Sequence, residues 1–302
     1  MSTAKVQIQS GQFAQLPNGT RLHYASAGEP GQPLILFVHG FPEFWYEWVA
    51  QLEEFGTDYF AVAPDLRGFN LSDMPTDPAA YKARHIVDDL QGLITTLGYQ
   101  QAIIVAHDWG GAICWNLAIA LPQLVEKLII INSPHPYLFM QALANDPAQQ
   151  ASSAYMNWLR QPGSEQALAK DNFALMEGFF QGMGQPPAVW FDADTRSKYH
   201  ACWQHGLHGG VNYYRASPLH PPTNQAAGAQ RLELNPADFC VQPPVRIIWG
   251  EADQALPASL LLGIEAFIPD LQIVRIPEGG HWVIHEQPQR VNALLRQFLG
   301  SE

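Results

Sequence analysis

Apolar residues fall in two alternating patterns along this chain. Short, nearly unbroken apolar runs at Leu34–Val38, Tyr59–Ala63, Ala102–Ala106, Lys127–Ile131, Val245–Trp249 and Gln272–Ile276 predict strands, most of them too apolar to have a wet face. Between them the spacing turns helical. Ile86, Val87, Leu90, Leu93, Ile94 and Leu97 share one helix face, and further helices are expected over Gly110–Leu121, around Leu260–Phe267 and over Pro288–Leu299, where Val291, Leu294, Leu295 and Phe298 form the apolar side. At the start, Val6, Ile8 and Phe13 are followed by Leu22 and Tyr24 across a Pro17-Asn18-Gly19 turn, which predicts an antiparallel hairpin capping one sheet edge. Strand–helix alternation of this kind gives an α/β protein with an open, mostly parallel sheet doubly wound by helices.

The alternation stops after Ser133-Pro134-His135-Pro136. From there the chain is rich in Gln, Ala, Trp and Tyr without a clear apolar strand, and it ends in the Pro-rich stretch Ser217–Pro222. This reads as a helical cap set into the core. The expected division is residues 1–134 for the first part of the core, 135–225 for the cap and 226–302 for the second part of the core.

Composition narrows the partners more than the fold. The 302 residues are 47% hydrophobic and 15% charged, as in an ordinary globular protein, with a formal net charge of −12 and only 16 Lys+Arg. So few cations cannot track a phosphate backbone, which excludes nucleic acid as the expected partner, and an anionic membrane with it. The apolar runs are strand-sized, and Met1–Ser10 lacks the apolar stretch of a leader, so a soluble, cytoplasmic protein is expected. Cys114, Cys202 and Cys240 are far apart and are read as buried free thiols. His200, His205 and His208 lack helical ligand spacing and a completing carboxylate or thiolate, so neither metal nor cofactor is expected.

In a sheet of this kind ligands bind beyond the carboxyl ends of the strands. Those ends carry His39-Gly40-Phe41-Pro42-Glu43, Asp65-Leu66-Arg67-Gly68, Asp108-Trp109-Gly110, Asn132-Ser133, Asp253 and His281. Asp108 stands at the apex of a Gly-rich turn between a buried strand and a helix, where a nucleophile is held exposed. Asp253 and His281 follow in the chain order nucleophile, acid, histidine. Each alone is a common cap or loop residue, but together they form a catalytic set. An ionised aspartate needs no base to become a nucleophile, and it suits displacement at a strained or leaving-group-bearing sp³ carbon.

Through His39–Trp48, Asp65–Gly68, Val105–Gly111 and Gly280-His281, the chain resembles the epoxide hydrolases of the α/β-hydrolase superfamily over nearly its whole length. Tyr155-Met156-Asn157-Trp158 and Asn212-Tyr213-Tyr214-Arg215 extend the resemblance into the cap. It implies that one tyrosine of each cap segment donates a hydrogen bond to the epoxide oxygen. By position these are Tyr155 and Tyr214, with Tyr213 as the neighbouring alternative. It further implies an ester formed on Asp108 and hydrolysed by water that His281, oriented by Asp253, activates. The fold it implies places the oxyanion hole at the backbone N–H groups of Phe41 and Trp109, and the resemblance puts His39, Glu43 and His107 near substrate or water. A small apolar epoxide and water are the implied partners. Two rivals remain: a haloalkane dehalogenase, disfavoured by Phe41 where such enzymes often carry Asn and by the paired tyrosines, and a non-catalytic binding module, which has no need of His281 with Asp253. Phe41, Phe44, Trp45, Tyr46, Trp48 and Trp109 are read equally as core or pocket aromatics, some of them both.

Overall fold

The computed structural model describes residues 6–184 and 186–300. Its eight strands are β1 (Gln9–Gln15), β2 (Arg21–Ala27), β3 (Leu34–Val38), β4 (Phe60–Pro64), β5 (Ala102–His107), β6 (Val125–Ile131), β7 (Val245–Gly250) and β8 (Leu271–Ile276), in one sheet of order β1-β2-β4-β3-β5-β6-β7-β8. The β1–β2 hairpin is antiparallel at one edge, β2 runs antiparallel to β4, and the remaining pairs are parallel. Helices of the core are α1 (Val49–Phe55), α2 (Ala83–Thr96) and α3 (Asp108–Ala120). Those between β6 and β7 are α4 (Pro136–Asn145), α5 (Pro147–Ser152), α6 (Ala154–Leu159), α7 (Ser164–Leu168), α8 (Lys170–Gly182), α9 (Ala193–Trp203) and α10 (His208–Ala216). After β8 come α11 (Val283–Glu286) and α12 (Pro288–Leu299).

The unbroken apolar runs are explained by burial on both faces of the sheet. Along β3, Leu34, Leu36 and Val38 pack with Ile86, Leu90 and Ile113 of α2 and α3, while Ile35 and Phe37 pack with Trp48, Leu52, Leu295 and Phe298 on the other side. Successive side chains of a strand point to opposite faces, so a strand covered on both sides has no polar alternation. Truncating any one of these buried aliphatic side chains costs about 2–5 kcal/mol.

Strand order reverses between β3 and β5, which pair in parallel from Ile35↔Ile103 to Val38↔Ala106. That reversal opens a crevice at their carboxyl ends, and the chain leaves it as His39-Gly40-Phe41 on one side and His107-Asp108 on the other. Gly110 lets α3 start against this pair. A methyl group there would come within 2.2 Å of the Val38 carbonyl oxygen and 2.5 Å of that of His39.

Some expectations change. The region around Leu260–Phe267 is two 3₁₀ turns, Ala258–Leu261 and Ile264–Ala266, because Gly263 between them is left-handed at φ 80° and interrupts the helical path. Cys114 and Cys202 are buried, but Cys240 is exposed in the loop that follows a surface turn at Pro236–Phe239. The first residues of the Met1–Ser10 segment, 1–5, lie outside the described residues. Among the described residues no helix is long and apolar enough to cross a membrane.

Gly110→Ala should lower stability by about 1–3 kcal/mol through overpacking. Gly178→Ala, in an exposed turn of α8 with nothing within 4 Å of the new methyl, should raise it by up to about 1 kcal/mol. Urea unfolding midpoints check both, and an unshifted midpoint for Gly110→Ala would refute the close approach of α3 to β3.

Candidate active site

The strand β5 is extended up to His107, and the chain then turns at once into α3 through Asp108 at φ 49°. A non-glycine residue in this region is strained by about 1–3 kcal/mol, and the surrounding contacts hold it there. The hydroxyl of Ser133, just past β6, donates to the Asp108 carbonyl at 2.7 Å. The Phe41 N–H donates to Oδ1 of Asp108 at 2.8 Å. Gly40 leaves the room for that bond, since a Cβ there would lie 2.2 Å from the same oxygen. The two carboxylate oxygens are therefore inequivalent. Oδ1 is held by the main chain, and Oδ2 faces Nε2 of His281 at 3.7 Å.

His281 is buried in the loop after β8, and its Nδ1 lies 2.7 Å from Oδ2 of Asp253. Asp253, beyond β7, is saturated as an acceptor. Its Oδ1 takes the N–H groups of Ala255 and Leu256, both at 2.9 Å, and its Oδ2 also takes the Asn132 amide at 2.8 Å. That geometry makes Nδ1 of His281 the donor and leaves Nε2 to face Asp108. Burial alone would depress the imidazole, but the adjacent Asp253 carboxylate and the Asp108 charge outweigh it and push His281 up to about 9.

Tyr155 on α6 and Tyr214 on α10 meet with ring centroids 6.2 Å apart, and Tyr214 packs edge-on against Trp109 at 5.0 Å. Burial and the nearby Asp108 charge raise both phenols above their ordinary value, so both keep their protons at neutral pH. Tyr213 is turned elsewhere: its hydroxyl donates to the Arg67 carbonyl at 2.9 Å, and its ring packs on Phe69 and Tyr81. A cavity of about 550 Å³ borders Asp108, Tyr155 and Tyr214. Its walls are mainly apolar, including Trp109, Ile113, Phe139, Met156, Leu219 and Phe239.

Of the residues singled out in the sequence, Asp108, Asp253, His281, Tyr155, Tyr214, Trp109 and the Phe41 N–H converge here. Three others stand behind the site. His39 is fully buried with both ring nitrogens on the main chain, Nδ1 to the Gly40 carbonyl at 2.8 Å and Nε2 to the Leu66 N–H at 3.0 Å, so neither is left for substrate. Glu43 accepts from the Tyr199 hydroxyl and lies 3.0 Å from Nε2 of His285. His107 donates Nε2–H to the His281 carbonyl at 2.9 Å. Of the aromatic residues in the His39–Trp48 segment, Trp48 belongs to the core against Phe37. Asn132, Ser133 and Glu47 also stand at the site, although no motif in the sequence marks them. For Asn132 and Ser133, position at the end of β6 was the available signal.

A model of the alpha/beta hydrolase fold family matches residues 33–288. Epoxide hydrolase 4 of Mus musculus is 32% identical over 94% of this chain and 78% of its own length, and an AB hydrolase superfamily protein of Bacillus subtilis is 34% identical over 94% and 96%. Among solved structures, an inhibitor complex of the Bacillus megaterium epoxide hydrolase superposes with a TM-score of 0.86 at 34% identity, covering 96% of this chain and 100% of that one. A variant of that enzyme, at 35% identity and TM-score 0.86 over 96% and 100%, holds its product, (R)-3-[1]naphthyloxy-propane-1,2-diol. The chain belongs to the epoxide hydrolases of the α/β-hydrolase fold.

Proposed function

We propose that the chain opens apolar epoxides to vicinal diols through an ester on Asp108, cleared by water that His281 and Asp253 activate. The observation that carries this reading is the Asp108 carboxylate itself. One oxygen sits on a main-chain N–H, the other faces a histidine, and two protonated phenols share its cavity. A 1,2-diol is also the product held by the Bacillus megaterium relative.

Oδ2 attacks one ring carbon as the C–O bond on its far side breaks. The alkoxide that leaves takes a proton from Tyr155 or Tyr214, which stabilise the charge where it develops. The resulting ester removes the negative charge of Asp108. His281, in its neutral form, then takes a proton from water, and the hydroxide adds to the ester carbonyl. The oxyanion forms on Oδ1, between the N–H groups of Phe41 and Trp109. When the bond from Cγ to Oδ2 breaks, the diol leaves with a proton from His281. Asp108 keeps the oxygen of the water, and its carboxyl proton returns to the phenolate. Water and epoxide are consumed and nothing else.

His281→Gln should form the ester and fail to clear it, lowering turnover by about 10²–10⁴-fold. The peptide containing Asp108 should gain the mass of the epoxide, and one turnover of wild-type enzyme in ¹⁸O-water should label Asp108 and leave the first diol unlabelled. Label in that first diol would overturn the covalent scheme. The pH dependence has a definite sign. His281 must be neutral to act as base, and the ester removes one of the carboxylate charges that raise its pKa. The rate of ester loss should therefore rise with pH and level off below about 9, measured by single-turnover kinetics; a rate that falls over that range would assign the base elsewhere. Tyr155→Phe and Tyr214→Phe should each slow ring opening by about 10–100-fold, and the double variant should abolish it, since removing one preorganised donor costs about 10²–10³-fold when it acts alone. Single-turnover ester formation reads this directly, and an unimpaired double variant would remove the phenols from the scheme.

A further inference from the structure

Behind His281 lie two buried carboxyl groups, Glu43 and Glu47, and the chemistry above uses neither. Glu43 is satisfied by Tyr199 and His285. Glu47 is placed differently. Its Oε1 lies 2.5 Å from Nδ1 of His107, out of line for a hydrogen bond as the side chains stand, and neither carboxyl oxygen nor that nitrogen has any other partner. The other nitrogen of the ring, Nε2, lies 2.9 Å from the main-chain carbonyl of His281. A carbonyl oxygen only accepts, so Nε2 carries hydrogen. Two arrangements fit a contact of this length: a neutral acid donating to a neutral ring, or a carboxylate beside an imidazolium.

The surroundings choose between them. Around the pair stand Glu43 and Asp108, His281 and His285, His39 below the oxyanion loop, and Tyr199 from α9. Burial, then the Glu43 charge, push the Glu47 carboxyl well above its usual range. Burial, then His281, push His107 down to about 4. Both directions favour the neutral pair, and only an acid holding its proton can donate to a bare Nδ1.

We infer that Glu47 is a positioning residue: a neutral carboxylic acid that donates to Nδ1 of His107 and so fixes the ring tautomer whose Nε2–H holds the main-chain carbonyl of His281. The carbonyl belongs to the residue whose ring must reach both Asp253 and the water that attacks the ester. A shift of this main chain moves both contacts together. Because the pair is uncharged, it holds the histidine in place without adding a third carboxylate charge to those of Asp108 and Asp253.

The inference rests on the ester chemistry proposed above, and the test separates the two. Nitrogen NMR of the full chain labelled at histidine reads the tautomer without substrate. His107 should give the neutral Nε2–H pattern from about pH 6 to about pH 9; an imidazolium pattern within that range would overturn the inference. In single turnovers Glu47→Leu should slow loss of the Asp108 ester by about 10–100-fold, as a displaced catalytic group does. Glu47→Gln, whose amide N–H can make the same donation, should recover most of that loss. Equal defects in the two variants, or none in either, would overturn it. If neither the wild type nor His281→Gln forms an ester, the proposed chemistry fails and the histidine spectra alone decide the tautomer.

Discussion

Everything in the site hangs on one close approach, that of the elbow at Asp108 to the loop leaving β3. The 2.8 Å bond from the Phe41 N–H to Oδ1 needs a residue without Cβ at position 40, and the start of α3 needs another at position 110. A left-handed aspartate at φ 49° is strained, and three contacts oppose its relaxation: the Phe41 bond, the Ser133 hydroxyl on its carbonyl, and the parallel pairing of β3 with β5 beneath it. What results is chemical asymmetry. A free carboxylate has two equivalent oxygens, whereas here one is held by a main-chain N–H and the other faces His281, the asymmetry on which the proposed chemistry draws.

The second constraint is charge. Asp108, Asp253 and Glu47 lie near His281, and Glu43 lies beside Glu47, in a buried region where uncompensated carboxylates are costly. Each is dealt with by a different device. Asp253 accepts from His281, Asn132 and the N–H groups of Ala255 and Leu256. Glu43 is covered by Tyr199 and by His285, whose ring stacks on Trp190 at 4.0 Å and 8°. Asp108 faces the solvent-accessible cavity. Glu47 touches only His107, and burial with the Glu43 charge beside it favours keeping the proton on the carboxyl.

Much of this was legible in the sequence because it is local. Apolar runs placed all six strands read from them to within about two residues, and the strand ends then held Asp108, Asp253 and His281 in order. The Leu260–Phe267 region misled because a one-face apolar pattern fits 3₁₀ turns as well as a helix, and Gly263 decides between them through its backbone, not its side chain. Tyr213 against Tyr214 could not be settled by spacing, since both are buried in α10; only the Arg67 carbonyl, reached from a distant loop, takes the Tyr213 hydroxyl out of contention. Glu47 was illegible for the same reason. In sequence it is one of several polar residues among aromatics, in the turn Trp45–Trp48, and its neighbour His107 is sixty positions away at the end of β5.

The tyrosines stand on the insert between β6 and β7 while the carboxylate stands on the sheet, so their mutual geometry depends on how the two are joined. Three core loops that border the site are bonded to the insert. The Trp203 indole donates to the Pro42 carbonyl in the oxyanion loop at 2.8 Å, Gln149 to the Ala255 carbonyl beside Asp253 at 3.1 Å, and the His281 N–H to the Met183 carbonyl at 3.2 Å. Tyr213 makes a fourth link through Arg67, whose guanidinium is itself locked bidentate on buried Asp89 at 2.7 Å in both contacts. Within the insert, Arg160 donates to the Tyr214 carbonyl at 2.6 Å and to that of Ser217 at 2.8 Å, tying the helix of one phenol to that of the other. Preorganised donors lose most of their effect when they drift by more than about 0.5 Å. An insert bonded separately to the loops of Phe41, Asp253 and His281 cannot move relative to one without straining the others, and that fixes the two phenols of the insert relative to the carboxylate on the sheet, as the proposed chemistry requires.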